Sequence, residues 1–100
     1  MINIRFSNDK NKYKLIVKGH AELADAGNDI VCAGVSALVC SLAQALLDNE
    51  IKAIVTKEHG YMLLSSDVTA ETKIMFDMTV AGLKKIKTLY PFCFEGGCNI

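Results

Sequence analysis

The chain has no surplus of charge of either sign. Eleven lysines and arginines balance eleven aspartates and glutamates over 100 residues. A neutral chain projects no field toward nucleic acid or an anionic membrane, so neither is an expected partner. The start of the chain also lacks the basic, then apolar, then small-residue order of a signal peptide. Met1 runs straight into Ile-Asn-Ile-Arg-Phe, which alternates like a strand. A cytoplasmic location is therefore expected, with the four cysteines kept as thiols. Their spacings, Cys32-x7-Cys40 and Cys93-x4-Cys98, include no Cys-x-x-Cys pair, and only two histidines could join them. No metal site and no cofactor is expected. Missing too are a glycine-rich phosphate loop after a strand and the paired carboxylates of glycoside chemistry. No linker, low-complexity stretch or internal repeat divides the sequence.

What is present is enough for one folded domain over residues 1–100. Apolar residues make up 51% of the chain and charged residues 22%, a balance that supports a core and argues against disorder. Ile30 to Leu47 carries no formal charge and approaches the length of a membrane span. Its flanks, Asp29 and Asp48-Asn49-Glu50, offer no basic anchor, and Ser36, Ser41 and Gln44 interrupt it. A buried helix of a soluble domain is the expected reading.

Periodicity gives the order of elements. Ile2, Ile4 and Phe6 alternate with polar residues, and Tyr13 to Lys18 forms a second strand across the turn Ser7–Asn11. Gly19 to Asn28 reads as an exposed loop. Asn28 or Asp29 then caps a helix running to about Asp48, and its small residues Ala33, Gly34 and Ala37 invite close packing. Ile51–Thr56 and Tyr61–Ser65 are two further strands, joined by Lys57-Glu58-His59-Gly60 as a turn. A second helix starts near Thr69 and stops at Pro91, with Met75, Met78, Gly82, Ile86 and Leu89 as its inner face. Phe92-Cys93-Phe94 is a candidate last strand. The expected fold is α+β: a two-layer sandwich of an antiparallel or mixed sheet and two helices, in the order ββαββα(β).

Cys32 is the cysteine best placed for chemistry. If the helix begins at Asn28 or Asp29, Cys32 stands in its first turn. Unpaired N–H groups and the positive end of the dipole there favour a thiolate and offer an oxyanion hole. Cys40 lies two turns deeper. The bland alternative is that Cys32 is a small buried apolar residue. A nucleophile needs a base, and His20, at the mouth of the loop leading to the helix, can reach it. His59 is the rival base, in a hairpin turn where exposed histidines are common. Asp29 either caps the helix or orients His20. Ser36, one turn after Cys32, either lines the site or bonds back to its own helix.

Two blocks of sequence add to this. Gly19-His20-Ala21, then Gly27-Asn28-Asp29-Ile30-Val31-Cys32-Ala33 with Val35-Ser36-Ala37-Leu38, resembles the ribosomal-processing cysteine protease (Prp, or YsxB-like) family. The twelve-residue gap from His20 to Cys32 fits as well. The resemblance implies a cysteine endopeptidase that removes a short N-terminal extension from a large-subunit ribosomal protein, cleaving after a pair of aromatic residues. It implies Cys32 as nucleophile and His20 as general base and acid, with an aspartate and a serine near the site at Asp29 and Ser36. Substrate contacts are expected at Gly19, Ala21, Leu23 and Ser36, under a loop over the site from Ala21 to Gly27. It also implies a homodimer. Two other readings stay open from the residues: a redox thiol protein with Cys40, Cys93 or Cys98 resolving Cys32, and a ribosome-associated binding module with an inert Cys32.

Overall fold

In the computed structural model, residues 1–19 and 26–100 are described, residues 26–29 by their backbone alone. Two antiparallel hairpins and two helices alternate along the chain. Strand β1 (Asn3–Asp9) pairs with β2 (Lys12–Lys18) across a turn at Lys10 and Asn11. Helix α1 (Ala26–Asp48) follows, then β3 (Ala53–Glu58) and β4 (Tyr61–Asp67), then helix α2 (Ala70–Leu89) and a short 3-10 turn, Pro91–Cys93. The second hairpin joins the first through β4, which lies antiparallel to β2. The sheet order is β1-β2-β4-β3, and β1 and β3 are its edges.

The strands alternate as a sheet with one covered face must. Ile4, Leu15 and Leu64 are fully buried, and Tyr13 and Ser66 nearly so. Their neighbours in sequence, such as Arg5, Lys14 and Ser65, point to the other face. Both helices pack on the inner face, which confirms the expected α+β sandwich with an antiparallel sheet. Helix α1 contributes Val31, Val35, Val39, Leu42, Ala43 and Leu46 to the core, a row at helical spacing. The stretch Ile30–Asp48 is long and apolar enough to cross a membrane by length and composition. Here its buried stripe is used against the sheet and α2.

The inner face of α2 differs from the expected one. The buried residues are Thr72, Phe76, Thr79, Val80 and Leu83. Met78 is 72% exposed and Leu89 58%, while Met75 and Ile86 are only partly buried. Phe76 decides the helix's rotation. Its ring stacks on Tyr13 at 5.1 Å and on Phe6 at 6.1 Å between centroids. The two threonines can join this face because their hydroxyls are satisfied locally. Thr72 Oγ1 donates to the Asp67 carbonyl at 2.7 Å, and Thr79 Oγ1 to the Met75 carbonyl at 2.9 Å. Thr69 and Thr72 also cap the start of α2 reciprocally.

The helices approach each other through small residues. An added Cβ at Gly34 would lie 3.1 Å from Ile86 Cδ1, and one at Gly82 would lie 2.8 Å from Leu38 Cδ1. The expected last strand is reduced to a single parallel bridge from Phe94 to Ile2. Pro91 and the 3-10 turn use up the residues that would have extended it, leaving Cys93 and Phe94 to plug the end of the core.

Candidate active site

A cleft of about 600 Å³ opens between α1 and the hairpin end of the sheet. Strand β2 ends here at Lys18, directly opposite Tyr61 at the start of β4. The Gly19 N–H donates to the Gly60 carbonyl at 2.9 Å, tying the exit of β2 to the tip of the second hairpin. Both glycines have positive φ, 85° at Gly19 and 71° at Gly60, a region that costs other L-residues energy. Gly19 is also crowded. A Cβ there would fall 2.1 Å from the Met1 carbonyl oxygen, so only glycine fits between the chain start and the hairpin.

Three of the expected site residues meet in this cleft: Gly19, Cys32 and Ser36. Cys32 is half-buried and Ser36 exposed. Together with Cys40 they line the wall given by α1, at positions i, i+4 and i+8 of one helix face. Cys32 and Cys40 therefore stand about 12 Å apart along the axis, too far for a disulfide. None of the four cysteines is disulfide-bonded. Asp29 lies three residues before Cys32 within α1. His20, Ala21 and Leu23 lie outside the described residues.

One expectation about Cys32 is corrected. Helix α1 begins at Ala26, not at Asn28 or Asp29, so neither of those residues is the cap. Cys32 is then the seventh helical residue and sits at the end of the second turn. The amides a helix leaves unpaired belong to its first four residues, 26–29. Dipole effects also fall off within the first turn. A charge or an oxyanion at Cys32 must draw on groups beyond the helix start.

The opposite wall went unrecognised in the sequence. Lys57, Glu58, His59, Gly60, Tyr61 and Met62 all face the cleft. His59, the rival base expected in an exposed turn, is exposed. What the sequence did not show is that its turn lines the same cleft as Cys32, because that depends on β4 pairing with β2. Among the described residues no group of three or more His, Cys, Asp and Glu is placed to hold a metal.

The sequence pattern of the cysteine protease Prp family matches residues 1–95, nearly the whole chain. The chain belongs to that family. It is a cysteine protease. A search of curated proteins finds no match. The fold is shared with two crystal structures of the ribosomal processing protease Prp from S. aureus. One holds a covalently linked product peptide (TM-score 0.80, 24% identity) and the other a substrate peptide (0.79, 23%). Each comparison covers 95% of this chain and 96% of the other. SMU.848 from Streptococcus mutans has the same fold at TM-score 0.73 and 24% identity, covering 95% of this chain and 90% of that one. At these identities the structures speak to the fold, and the family assignment rests on the sequence pattern.

Proposed function

We propose that the chain is an endopeptidase of ribosomal protein processing, with Cys32 as nucleophile and His20 as general base and acid. It removes a short N-terminal extension from a large-subunit ribosomal protein, cutting after an aromatic pair. One observation carries this reading. Gly19, which precedes His20 in the sequence, lines the same cleft as Cys32. The S. aureus relative, solved with a substrate peptide and with a covalently linked product peptide, supports a peptide substrate and a covalent step.

The chemistry follows from the two groups. The imidazole takes the thiol proton as the Cys32 sulfur attacks the carbonyl carbon. The tetrahedral intermediate then collapses, the C–N bond breaks, and the imidazolium returns its proton to the leaving amine. Water, deprotonated by the same imidazole, cleaves the thioester and releases the new carboxylate. Val17, Val35, Val39 and Met62 give the cleft apolar walls suited to aromatic side chains. Asp29 is assigned to orient the imidazole, and Gly19, Ala21, Leu23 and Ser36 to contact the peptide. The protease works in the cytoplasm, where its thiols stay reduced. It acts as a homodimer, supported by the exposed Ile30, Ala33 and Ala37 on α1 and Ile74 and Met78 on α2.

A peptide carrying a Phe-Phe pair tests the reading. Cleavage after the second Phe is expected, with loss in Cys32→Ala and in His20→Ala. Activity that survives His20→Ala and vanishes in His59→Ala would transfer the base to the hairpin turn.

A further inference from the structure

The two edges of the sheet are treated differently. The outer edge of β1 is covered by the end of the chain. Ile2 N–H donates to the Cys93 carbonyl at 2.9 Å, and Glu95 N–H donates to the Ile2 carbonyl at 2.8 Å. Ile4 N–H reaches Cys98 Sγ at 3.3 Å, and Asn99 N–H donates to the Ile4 carbonyl at 3.2 Å. At Phe6 the Asn99 side chain stands in for a strand. Its Oδ1 accepts from Phe6 N–H at 2.7 Å, and its Nδ2 donates to the Phe6 carbonyl at 3.2 Å. Residues 2, 4 and 6 are the alternate positions whose backbone faces away from β2, and each is partnered.

The outer edge of β3 has no such cover among the described residues. Its backbone pairs only with β4. Proteins usually blunt a bare edge with proline, a bulge or inward charge. Ala53-Ile54-Val55-Thr56 has none of these, pairs in unbroken register, and leaves Ile54 64% exposed; the strand's charged residues, Lys57 and Glu58, stand only at its cleft end. This edge also runs into the candidate active site, since Lys57 and Glu58 line the cleft that holds Cys32.

We propose that the substrate peptide binds as an added strand on the open edge of β3, with its scissile bond carried past Lys57 and Glu58 to Cys32. The proposal rests on the reading of this cleft as the site of cleavage. Main-chain hydrogen bonds from every second residue of β3 supply register and affinity, and the cleft supplies selectivity for side chains. Six residues at about 3.3 Å each make an edge about 20 Å long. Five or six substrate residues on one side of the scissile bond pair with it. The occupant is a peptide rather than a second copy of the chain because the edge is continuous with the cleft.

A backbone N-methyl scan tests this without altering the fold. A ten-residue peptide with a Phe-Phe pair and its singly N-methylated forms are titrated onto the Cys32→Ala protein, and hydrolysis is measured separately on the wild type. The Kd is expected to rise about five- to tenfold at every second residue on one side of the scissile bond and to stay unchanged between them. A flat or non-alternating profile overturns the proposal, as does failure of the unmodified peptide to bind. A flat profile with a dimer that persists in saturating peptide assigns the edge to a second copy and likewise overturns it. Alternation in binding without wild-type hydrolysis would sink the catalytic reading and leave strand addition standing.

Discussion

Replacing Gly19 with alanine should unfold this protein at a markedly lower temperature, although it adds one methyl group. Two costs combine. At φ 85° an L-residue pays about 1–2 kcal/mol for the left-handed backbone. The new Cβ would also sit 2.1 Å from the Met1 carbonyl oxygen, where real Cβ contacts stay beyond 3.0 Å. That oxygen is backbone and cannot swing aside like the end of a side chain. Moving it disturbs Ile2, which is buried and bonded through both its N–H and its carbonyl to the chain end. The two costs together come to about 2–4 kcal/mol. For a domain of this size each kcal/mol lowers Tm by about 4–8 °C. A fall of about 8 °C or more is expected in a thermal melt followed by circular dichroism. Gly96→Ala is the control, since a Cβ there meets nothing within 4 Å; it should stay within a few degrees of wild type. A Gly19→Ala melt within ~3 °C of wild type would refute the idea that this residue clamps the chain start beside the cleft.

Two further predictions concern the chain end and one ion pair. Asn99→Ala removes both side-chain bonds to Phe6 and should cost about 1 kcal/mol. It should also expose the β1 edge, detectable as self-association in light scattering; an unchanged melt and a monodisperse sample would show that the tail is dispensable. The Lys12 ammonium, through a hydrogen bond and then its charge, holds the Asp67 carboxyl below its ordinary 3.8. A depressed carboxylate stabilises the fold above the unfolded value and loses that contribution as pH falls through the folded one. The stability gap between wild type and Lys12→Met in urea should therefore be small at pH 6, because both groups are exposed. It should close as pH drops below 3.8, and a gap that persists in acid would trace to packing of the lysine stem instead.

Much of the fold was legible because hydrophobic period reports directly on burial. The alternation of Ile2, Ile4 and Phe6 and the uncharged run from Ile30 placed the first strand and α1 close to where they lie. The start of α1 was missed because Asn28 and Asp29 are strong capping types, while the helix has two more residues before them. The inner face of α2 was misplaced because Met78 and Leu89 look like core residues and Thr72 and Thr79 do not. Burial of those hydroxyls depends on carbonyl partners at Asp67 and Met75, which periodicity cannot see. At the site, the motif carrying Gly19, Cys32 and Ser36 was readable along the chain. The wall made by Lys57 to Met62 was not, because it reaches the cleft only through the β2–β4 pairing, a contact between residues more than forty positions apart. The cover on β1 was equally hidden, since it depends on Asn99 acting as a piece of strand.

The role of Cys32 is tested most directly by covalent trapping. A peptide ending in Phe-Phe with a chloromethyl ketone in place of the scissile amide is incubated with the protein, which is then digested and mapped by mass spectrometry. The adduct should fall on Cys32 alone, sparing Cys40 in the same cleft as well as Cys93 and Cys98. Labelling of Cys40 in its place, or cleavage of the Phe-Phe peptide that continues in Cys32→Ala, would contradict the account.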